Sequence, residues 1–336
     1  MWVVVYHFKN YLPPIPMLAQ NIVGFGYIAV DFFFILSGFV IAYSYFNNLK
    51  EPNRKKLKIF FLKRFARVYP LHGLILIAYL IVPLAYYLKK DFVPDEFSAS
   101  YYFLSALLVQ NWGFTNTLAW NVPAWSISAE FAAYLLFPIM CIGLNKLGRL
   151  QHYVFTLIIL QIFLIFIFKA REYESIGFDI VNLGTYRCLI EFAMGSILAK
   201  IYLDNFKLIR FQSILTFGLG FTLFIFMIIF LITDYYLAPV AVCLIIYGSL
   251  FLPTIVIKTI TVPPLLYLGK ISYSIYLVHY LVREVFKLFM ANNQEIEDFN
   301  LLLLYVAVVV ALSVLLYEYY EKPAKSYILN RYLHRI

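Results

Sequence analysis

The chain has 336 residues, of which 63% are hydrophobic and 13% are charged, whereas a soluble domain is roughly half apolar and about a quarter charged. This composition excludes a protein made of soluble domains and predicts one that lies in lipid. A membrane helix needs about 20 apolar residues, so the chain holds roughly ten spans and no second domain. The net charge of +9 fits basic loops at one membrane face and contacts to anionic lipids, and we exclude nucleic acid as a partner.

Ten apolar runs follow one another along the chain, and each predicts a helix that crosses the membrane. They cover residues 1–12, 22–46, 68–88, 118–144, 152–168, 182–201, 211–232, 236–256, 264–290 and 300–320. Eight lysines and arginines lie between Lys50 and Arg67, and basic loops favour the cytoplasmic side. The sequence therefore predicts an all-α, polytopic integral membrane helix bundle of about ten transmembrane helices. We expect a single domain over residues 1–336 with both termini in the cytoplasm.

Several titratable residues lie within these runs, although an ionisable group in hydrocarbon is costly and is a functional hypothesis by default. From the helical rise, His7 lies about 8 Å, and Asp31 and Glu130 lie about 12 to 14 Å, below the outer ends of their helices. His279 lies about 16 Å from the same side. Each residue alone is equally well explained as a hydrogen-bonded packing residue. Their common depth predicts that His7, Asp31 and Glu130 face one cavity.

Helical spacing adds polar residues to this layer, since residues three and four apart share a helix face. Ser126 and Glu130 are four apart, and Tyr134 continues their row. Tyr276, His279 and Arg283 align in the same way, at spacings of three and four. One face of each helix is therefore predicted to be polar.

Two further groups of residues are predicted to be structural. Arg187 and Glu191 are spaced to form an ion pair within one helix. Three cysteines sit singly in apolar runs, without the spacing of a disulfide framework or a metal site, so no metal is predicted: Cys141, Cys188 and Cys243.

Arg64 and Arg67 share a helix face where a predicted helix leaves the cytoplasm. One interpretation is an anchor that follows the positive-inside rule. The other is an anion-binding site, because guanidinium groups match phosphate oxygens bidentately. The residues alone leave both interpretations open.

Six strings in a fixed order carry a resemblance to a known family. They are VVVYHF (Val3–Phe8), VDFFFILSGFVIA (Val30–Ala42), FLKRFARVYPLH (Phe61–His72), WSISAEFAAYLLFP (Trp125–Pro138), LGKISYSIYLVH (Leu268–His279) and YEYYEKPAK (Tyr317–Lys325). Each string alone is a weak signal in an aromatic-rich membrane protein, but the ordered set resembles the acyltransferase-3 family of integral membrane acyltransferases. That family modifies surface glycans and other extracytoplasmic acceptors.

The resemblance implies roles for individual residues. His7 takes the place of the family's essential first-helix histidine. Arg64 and Arg67 match its basic motif, and Glu130 matches the acidic position of its Trp-Ser motif. The donor implied is cytosolic acyl-CoA, with acetyl-CoA as the first expectation, and the acceptor implied is a surface glycan or a lipid-linked saccharide. We expect a multi-pass protein of a bacterial cytoplasmic membrane, in contact with membrane lipids.

The chain departs from the family near its first residue. The family has an arginine eleven positions before the histidine, which would fall upstream of Met1. Since the first apolar run is also too short for about 30 Å of hydrocarbon, we expect the first helix to be truncated. Because only about 16 residues follow the last run, we expect the membrane module without an appended hydrolase-like domain.

Acyl transfer needs a base for the acceptor hydroxyl and donors for the developing oxyanion. Histidine suits the first role because its ordinary pKa of about 6.5 lets it accept and return a proton near neutrality, and Asp31 or Glu130 is expected to orient it. No Gly-x-Ser-x-Gly elbow occurs, so direct attack by the acceptor is favoured over a serine acyl-enzyme, and an acyl-histidine stays open. The predicted catalytic residues are His7, Glu130 and Asp31, and the predicted substrate-binding residues are Arg64, Arg67, Ser37, Trp125, Ser126, Tyr276 and His279.

Two other classes of protein, a transporter and a scaffold, differ in how they would use these residues. A proton-coupled secondary transporter or flippase would use His7, Asp31, Glu130 and Arg187 as a proton relay. A structural membrane scaffold would have little reason to align buried ionisable groups. Acyl-CoA hydrolysis or a labelled glycan product would distinguish the enzyme from both.

Overall fold

The computed structural model describes residues 1–290 and 299–333, and every regular element among them is a helix. Lipid offers no partners to backbone groups, so a spanning segment must bond them internally, as an α-helix does. The first eight helices are α1 (Trp2–Phe8), α2 (Met17–Gly24), α3 (Ala29–Leu49), α4 (Arg54–Ala78), α5 (Ile81–Lys90), α6 (Ala99–Ala106), α7 (Trp125–Leu144) and α8 (Leu150–Lys169). They are followed by α9 (Ile180–Leu203), α10 (Arg210–Phe230), α11 (Asp234–Ser249), α12 (Thr254–Ile260), α13 (Pro263–Lys270), α14 (Ser272–Met290), α15 (Phe299–Leu316) and α16 (Lys322–Leu333).

Six helical segments within the described ranges are long and apolar enough to cross a membrane. They are Met17–Leu49, Arg54–Lys89, Val122–Leu144, Leu150–Lys169, Arg210–Phe230 and Phe299–Leu333. Two bent helix pairs raise the number to eight if each pair is one span. The prediction of an all-α, multi-pass membrane protein is therefore confirmed. The count of ten spans and the cytoplasmic position of the termini are not confirmed.

Several predicted spans differ from their helices in the structure. The run at residues 1–12 forms only the seven-residue α1, followed by a short 3₁₀ turn. Helix α9 has 24 residues but is not among the six segments, because Arg187 and Glu191 interrupt its apolar sequence. The run at residues 236–256 is broken before Pro253, and α11 and α12 meet there at 116°. Proline lacks a backbone N–H and cannot continue the helix that precedes it, so the helix stops before Pro253.

By their packing, the residues form two compact units. The first comprises Met1–Gly26, Lys58–Ser128 and the chain from Leu266 onwards, and the second comprises Tyr27–Leu57 and Ala129–Leu265. In the first unit, α14 packs against α1 and α15. In the second unit, α3 packs against α9, and α10 packs against α11. Each unit therefore combines a pair of consecutive helices with a pair that is distant in sequence, α1 with α14 in the first unit and α3 with α9 in the second.

In the second unit, α3 and α9 approach each other at two glycines. A Cβ atom on Gly38 would lie 2.0 Å from the carbonyl oxygen of Phe192. A Cβ atom on Gly195 would lie 1.8 Å from the carbonyl oxygen of Ile35. Small residues let helix backbones come this close in a membrane. The approach brings the inward-facing side chains of α3 and α9 within hydrogen-bonding reach.

In the first unit, aromatic side chains form the contacts around α14. The ring of Phe8 in α1 stacks on Tyr305 of α15, with ring centroids 4.3 Å apart. Tyr305 is fully buried, and its hydroxyl donates to the carbonyl oxygen of His279 at 2.9 Å. Because Phe8 directly follows His7, this packing fixes His7 beside α14.

Candidate active site

The first unit brings two histidines together. The imidazole ring of His7 has its centroid 5.2 Å from that of His279 on α14, and also 5.2 Å from that of Tyr280. His279 is fully buried. Among the described residues, no hydrogen bond to the His7 ring occurs. The ring nitrogens of His7 are therefore not committed to another described side chain.

The hydrogen bond of His279 assigns its tautomer. Its Nδ1 lies 2.7 Å from the carbonyl oxygen of Tyr276, and a carbonyl oxygen only accepts, so Nδ1 carries the proton. In the neutral ring Nε2 is then an acceptor, and within residues 1–290 and 299–333 it is buried without a hydrogen-bond partner. A buried unsatisfied polar atom is costly and calls for an explanation. His279 thus supplies an acceptor nitrogen beside the His7 ring.

Two of the predicted binding residues bond to each other. The hydroxyl oxygens of Ser126 and Tyr276 lie 2.7 Å apart. The Tyr276 hydroxyl also lies 2.9 Å from the carbonyl oxygen of Pro123. Ser126 and its neighbour Trp125 are buried. These bonds tie the start of α7 to α14, so the Trp-Ser motif positions the helix that carries His279.

In the second unit, two hydroxyl groups hold Glu130. Ser37 of α3 donates to its Oε1, and Tyr134 donates to the same oxygen at 2.5 Å. Glu130 is buried. The row of Glu130 and Tyr134 along one helix face is therefore confirmed. Ser37, which the sequence predicted as a binding residue, is a hydrogen-bond partner of a predicted catalytic carboxylate.

Asp31 forms a buried ion pair with Arg187. Arg187 Nε donates to Asp31 Oδ1 at 2.6 Å, and Nη2 donates to Oδ2. Both side chains are at most 1% exposed. The sequence paired Arg187 with Glu191, and the close approach of α3 and α9 gives the guanidinium a bidentate partner in Asp31 as well. In the described part of the chain, both carboxyl oxygens of Glu191 are buried without a hydrogen-bond partner.

A further buried carboxylate, Asp234 on α11, was missed by the sequence analysis. Tyr27 donates to its Oδ2, and the Ser175 hydroxyl lies 2.8 Å from the same oxygen. The backbone N–H of Ile176 donates to Oδ1 at 2.8 Å, while the Ile176 carbonyl accepts from Arg187 at 2.9 Å. These bonds fix the loop before α9. The predicted apolar run began at residue 236, so Asp234 was left in a loop although it lies at the buried start of a helix.

Arg67 forms an ion pair with Glu321 in the first unit. Glu321 is 2% exposed and ends a π-helix, Tyr317–Glu321, a rare element that is frequent at functional sites. Its Oε2 accepts from the Ser274 hydroxyl at 2.6 Å. The Arg67 guanidinium also lies 5.2 Å from the ring centroid of Tyr273. Arg67 is thus positioned by a buried carboxylate, to which the sequence analysis gave no role.

Lys325 adds a third cation to the region of Arg64 and Arg67. Its ammonium group interacts electrostatically with both arginines and with Glu321. The cluster of Arg64, Arg67 and Lys325, defined here as the cation cluster, contains three basic side chains, of which Arg67 pairs with Glu321. Basic side chains grouped in this way suit an anionic ligand.

The predicted site residues fall in both units. The first unit contains His7, Arg64, Arg67, Trp125, Ser126, Tyr276 and His279, and the second contains Asp31, Ser37 and Glu130. The prediction that His7, Asp31 and Glu130 face one cavity stays a prediction.

These features define a helical membrane protein with titratable side chains buried in its apolar interior. The family model described as an acyltransferase domain matches residues 1–318, and the chain belongs to this acyltransferase-3 family. The resemblance carried by the six sequence strings is therefore confirmed.

The curated relatives are bacterial acyltransferases. The acyltransferase MdmB of Streptomyces mycarofaciens is 37% identical over 122 residues, which cover 35% of this chain and 29% of that protein. The O-acetyltransferase OatA of Staphylococcus aureus is 24% identical over 302 residues, which cover 83% of this chain and 48% of that protein. The chain spans about half the length, or less, of these relatives. No solved structure matches the chain.

Proposed function

We propose that the protein is an O-acyltransferase of a bacterial cytoplasmic membrane. It moves an acyl group, acetyl in the first instance, from cytosolic acyl-CoA to a hydroxyl of an extracytoplasmic or lipid-linked glycan. Family membership supports acyl transfer, and the names and bacterial sources of the two relatives support the reaction and the compartment. The observation that carries the proposal is the contact between His7 and His279.

In this proposal His7 acts as the general base. As the acceptor oxygen bonds to the thioester carbonyl carbon, His7 takes the hydroxyl proton. The tetrahedral intermediate then collapses, the C–S bond breaks, and the proton passes from His7 to the sulfur of CoA. The products are the O-acyl glycan and free CoA. A positioned base contributes about 10²- to 10⁴-fold to such a step.

His279 is proposed to orient the base. Its Nδ1 proton is committed to the Tyr276 carbonyl oxygen, so its Nε2 is left to accept a hydrogen bond from an N–H of the His7 ring. That bond would leave the other nitrogen of His7 facing the substrate and would stabilise the imidazolium that forms, as the third group of a catalytic triad does. Catalytic hydrogen bonds are often long before the substrate binds and shorten in the complex.

The cation cluster is the proposed site for the phosphates of acyl-CoA. Guanidinium groups bind phosphate oxygens bidentately, and an ammonium group adds a point charge. Glu321 holds the guanidinium of Arg67 in place, which reduces the entropy lost when phosphate binds.

The test compares wild-type protein with His7→Gln, because glutamine forms hydrogen bonds but cannot act as a base. His152→Gln is the matched control, since His152 is exposed on α8. Transfer of a labelled acyl group from acyl-CoA to membrane glycan is measured together with the melting temperature, on equal amounts of purified protein. We expect His7→Gln to lower kcat by about 10²- to 10⁴-fold at an unchanged melting temperature. Near-normal turnover would show that the general-base assignment is wrong, and a lower melting temperature would indicate a packing role.

The alternative is a proton-coupled transporter or flippase. The observation that favours it is the buried group of Asp31, Arg187 and Glu191, in which Glu191 has no hydrogen-bond partner within the described ranges. A transporter would give no acylated product in the same assay. It would instead acidify or alkalinise the lumen of proteoliposomes when its substrate is added.

A further inference from the structure

A small polar cavity lies in the first unit, beside Tyr280. It has a volume of about 160 Å³ and is lined by the aromatic side chains of Tyr79, Trp120 and Tyr280 together with charged groups. The ring of Tyr280 also contacts the ring of His7, with centroids 5.2 Å apart. The cavity therefore lies one side chain away from the proposed base.

Three polar groups among the lining residues are buried and lack hydrogen-bond partners within the described chain. They are the Tyr79 hydroxyl, Nε of Arg283 and Oε2 of Glu284. Arg283 and Glu284 bond to each other through other atoms, Nη1 and Oε1, at 2.7 Å. Lys287 Nζ lies 3.7 Å from Oε2 of Glu284, which is too far for a hydrogen bond. Because unsatisfied buried groups cost free energy, three of them at one cavity indicate that a ligand supplies the partners.

The three groups define the chemistry of that ligand. The tyrosine hydroxyl donates and accepts, the guanidinium donates and the carboxylate accepts, so a ligand with several hydroxyl groups satisfies all three. The aromatic walls suit a ligand that also has an apolar face, as a pyranose ring has. Trp120 is held at a φ of +54°, a left-handed conformation that bulky residues rarely adopt, and its Nε1 donates to the carbonyl oxygen of Ser98 at 3.0 Å.

The charge and the volume of the cavity restrict the class of ligand further. Glu96 and Glu284 balance Arg283 and Lys287 at the cavity, so a neutral ligand is favoured over a phosphate. The volume is well below the roughly 300 to 1,000 Å³ of sites for drug-sized ligands, so the cavity takes a single ring and not an oligosaccharide. The geometry points to this cavity as the subsite for one neutral monosaccharide unit of the acceptor. The inference rests on the proposed function, and it places a sugar hydroxyl that projects past Tyr280 beside the His7 ring.

The test measures binding without the reaction. The full chain in lipid nanodiscs, which avoid sugar-headed detergents, is titrated with neutral methyl hexosides and methyl N-acetylhexosaminides, and saturation-transfer NMR reports binding in the absence of acyl-CoA. The variants are Tyr79→Phe and Glu284→Gln. Tyr247→Phe is the matched control, because it deletes a tyrosine hydroxyl in the second unit. Inorganic phosphate is the anionic probe.

We expect at least one glycoside to bind the wild-type protein and phosphate not to displace it. Tyr79→Phe should weaken binding by about 2- to 12-fold, which corresponds to the free energy of one hydrogen bond. It should not lower the melting temperature, because the deleted hydroxyl has no partner among the described residues. Glu284→Gln should weaken binding, and Tyr247→Phe should leave it unchanged. The inference is overturned if no glycoside binds, if Tyr79→Phe and Glu284→Gln bind as the wild type does, or if phosphate binds in preference. Full turnover by His7→Gln would instead contradict the proposed base and leave the glycoside result intact.

Discussion

Deleting the positive charge of the buried Asp31–Arg187 pair is expected to destabilise the protein more than deleting the negative charge. One of the two hydrogen bonds of the pair is 2.6 Å long, and both side chains are at most 1% exposed. Removing one member of such a pair leaves an uncompensated buried charge, which costs about 3 to 5 kcal/mol of unfolding free energy. The perturbations are Arg187→Met, Asp31→Leu and the double variant.

Glu191 sets the order of the two single variants. Its carboxyl interacts electrostatically with both Asp31 and Arg187. Arg187→Met leaves two carboxyl groups together without their cation, so we expect a loss near the upper limit, about 5 kcal/mol. Asp31→Leu leaves Arg187 beside Glu191 as a substitute partner, so the loss should be about 3 kcal/mol. The double variant removes both charges and should be more stable than Arg187→Met, since apolar replacement of a buried pair is often neutral.

The assay is unfolding of the purified protein by SDS in mixed micelles, followed by tryptophan fluorescence. A double-mutant cycle then gives the coupling free energy between Asp31 and Arg187. Strictly additive losses would refute the reasoning, because residues that form an ion pair are coupled. Acyl transfer by the folded double variant would, in addition, exclude Asp31 from the catalytic residues.

Three further outcomes are expected. Gly195→Ala places a Cβ atom 1.8 Å from the carbonyl oxygen of Ile35 and should abolish the folded peak in size-exclusion chromatography. The control is Gly143→Ala, whose Cβ atom would have nothing within 4 Å, and it should match the wild type. Arg67→Ala should raise the KM for acyl-CoA by about 10- to 150-fold, the loss of one charge-assisted hydrogen bond; equal changes in the KM for donor and acceptor would indicate a topological anchor. His279→Asn keeps a donor near the position of Nδ1 but removes Nε2, so kinetics should show kcat lowered by about 10- to 100-fold, the loss typical of residues that orient a metal-binding histidine. A fall in melting temperature of the same variant would point to packing.

The fold class was predictable because lipid restricts the sequence directly. Spans must be apolar over about 20 residues, and their backbone bonds must be internal. The number of spans was less predictable, since a hydropathy pattern does not show where a helix bends. The run that ends near Pro253 reads as one span, yet its two helices meet at 116°. In α9 the difficulty is different. Its buried charged residues lower the mean hydropathy of a helix that is long enough to cross a membrane.

Contacts within one helix were predictable, and contacts between helices were not. The row of Glu130 and Tyr134 follows from helix geometry alone. The partner of Arg187 lies 156 residues away and depends on the approach of α3 and α9 at Gly38 and Gly195. Small residues in an apolar run indicate that some helix packs closely there. They do not identify which helix, so a partner on the same helix was preferred.

The helical rise gives only the depth of a residue in the membrane. Which residue is suited to proton transfer depends on the hydrogen bonds that its side chain already forms. Asp31 has both carboxylate oxygens bonded to Arg187, and Glu130 accepts from Ser37 and Tyr134. A carboxylate that took a proton from a substrate would have to weaken these bonds, at a cost of about 1 to 3 kcal/mol for each buried group left unsatisfied. The ring of His7 has no hydrogen bond to lose among the described residues. Under the proposed function, these bonds favour His7 over either carboxylate as the base, and the carboxylates are better suited to holding α3, α7 and α9 in register.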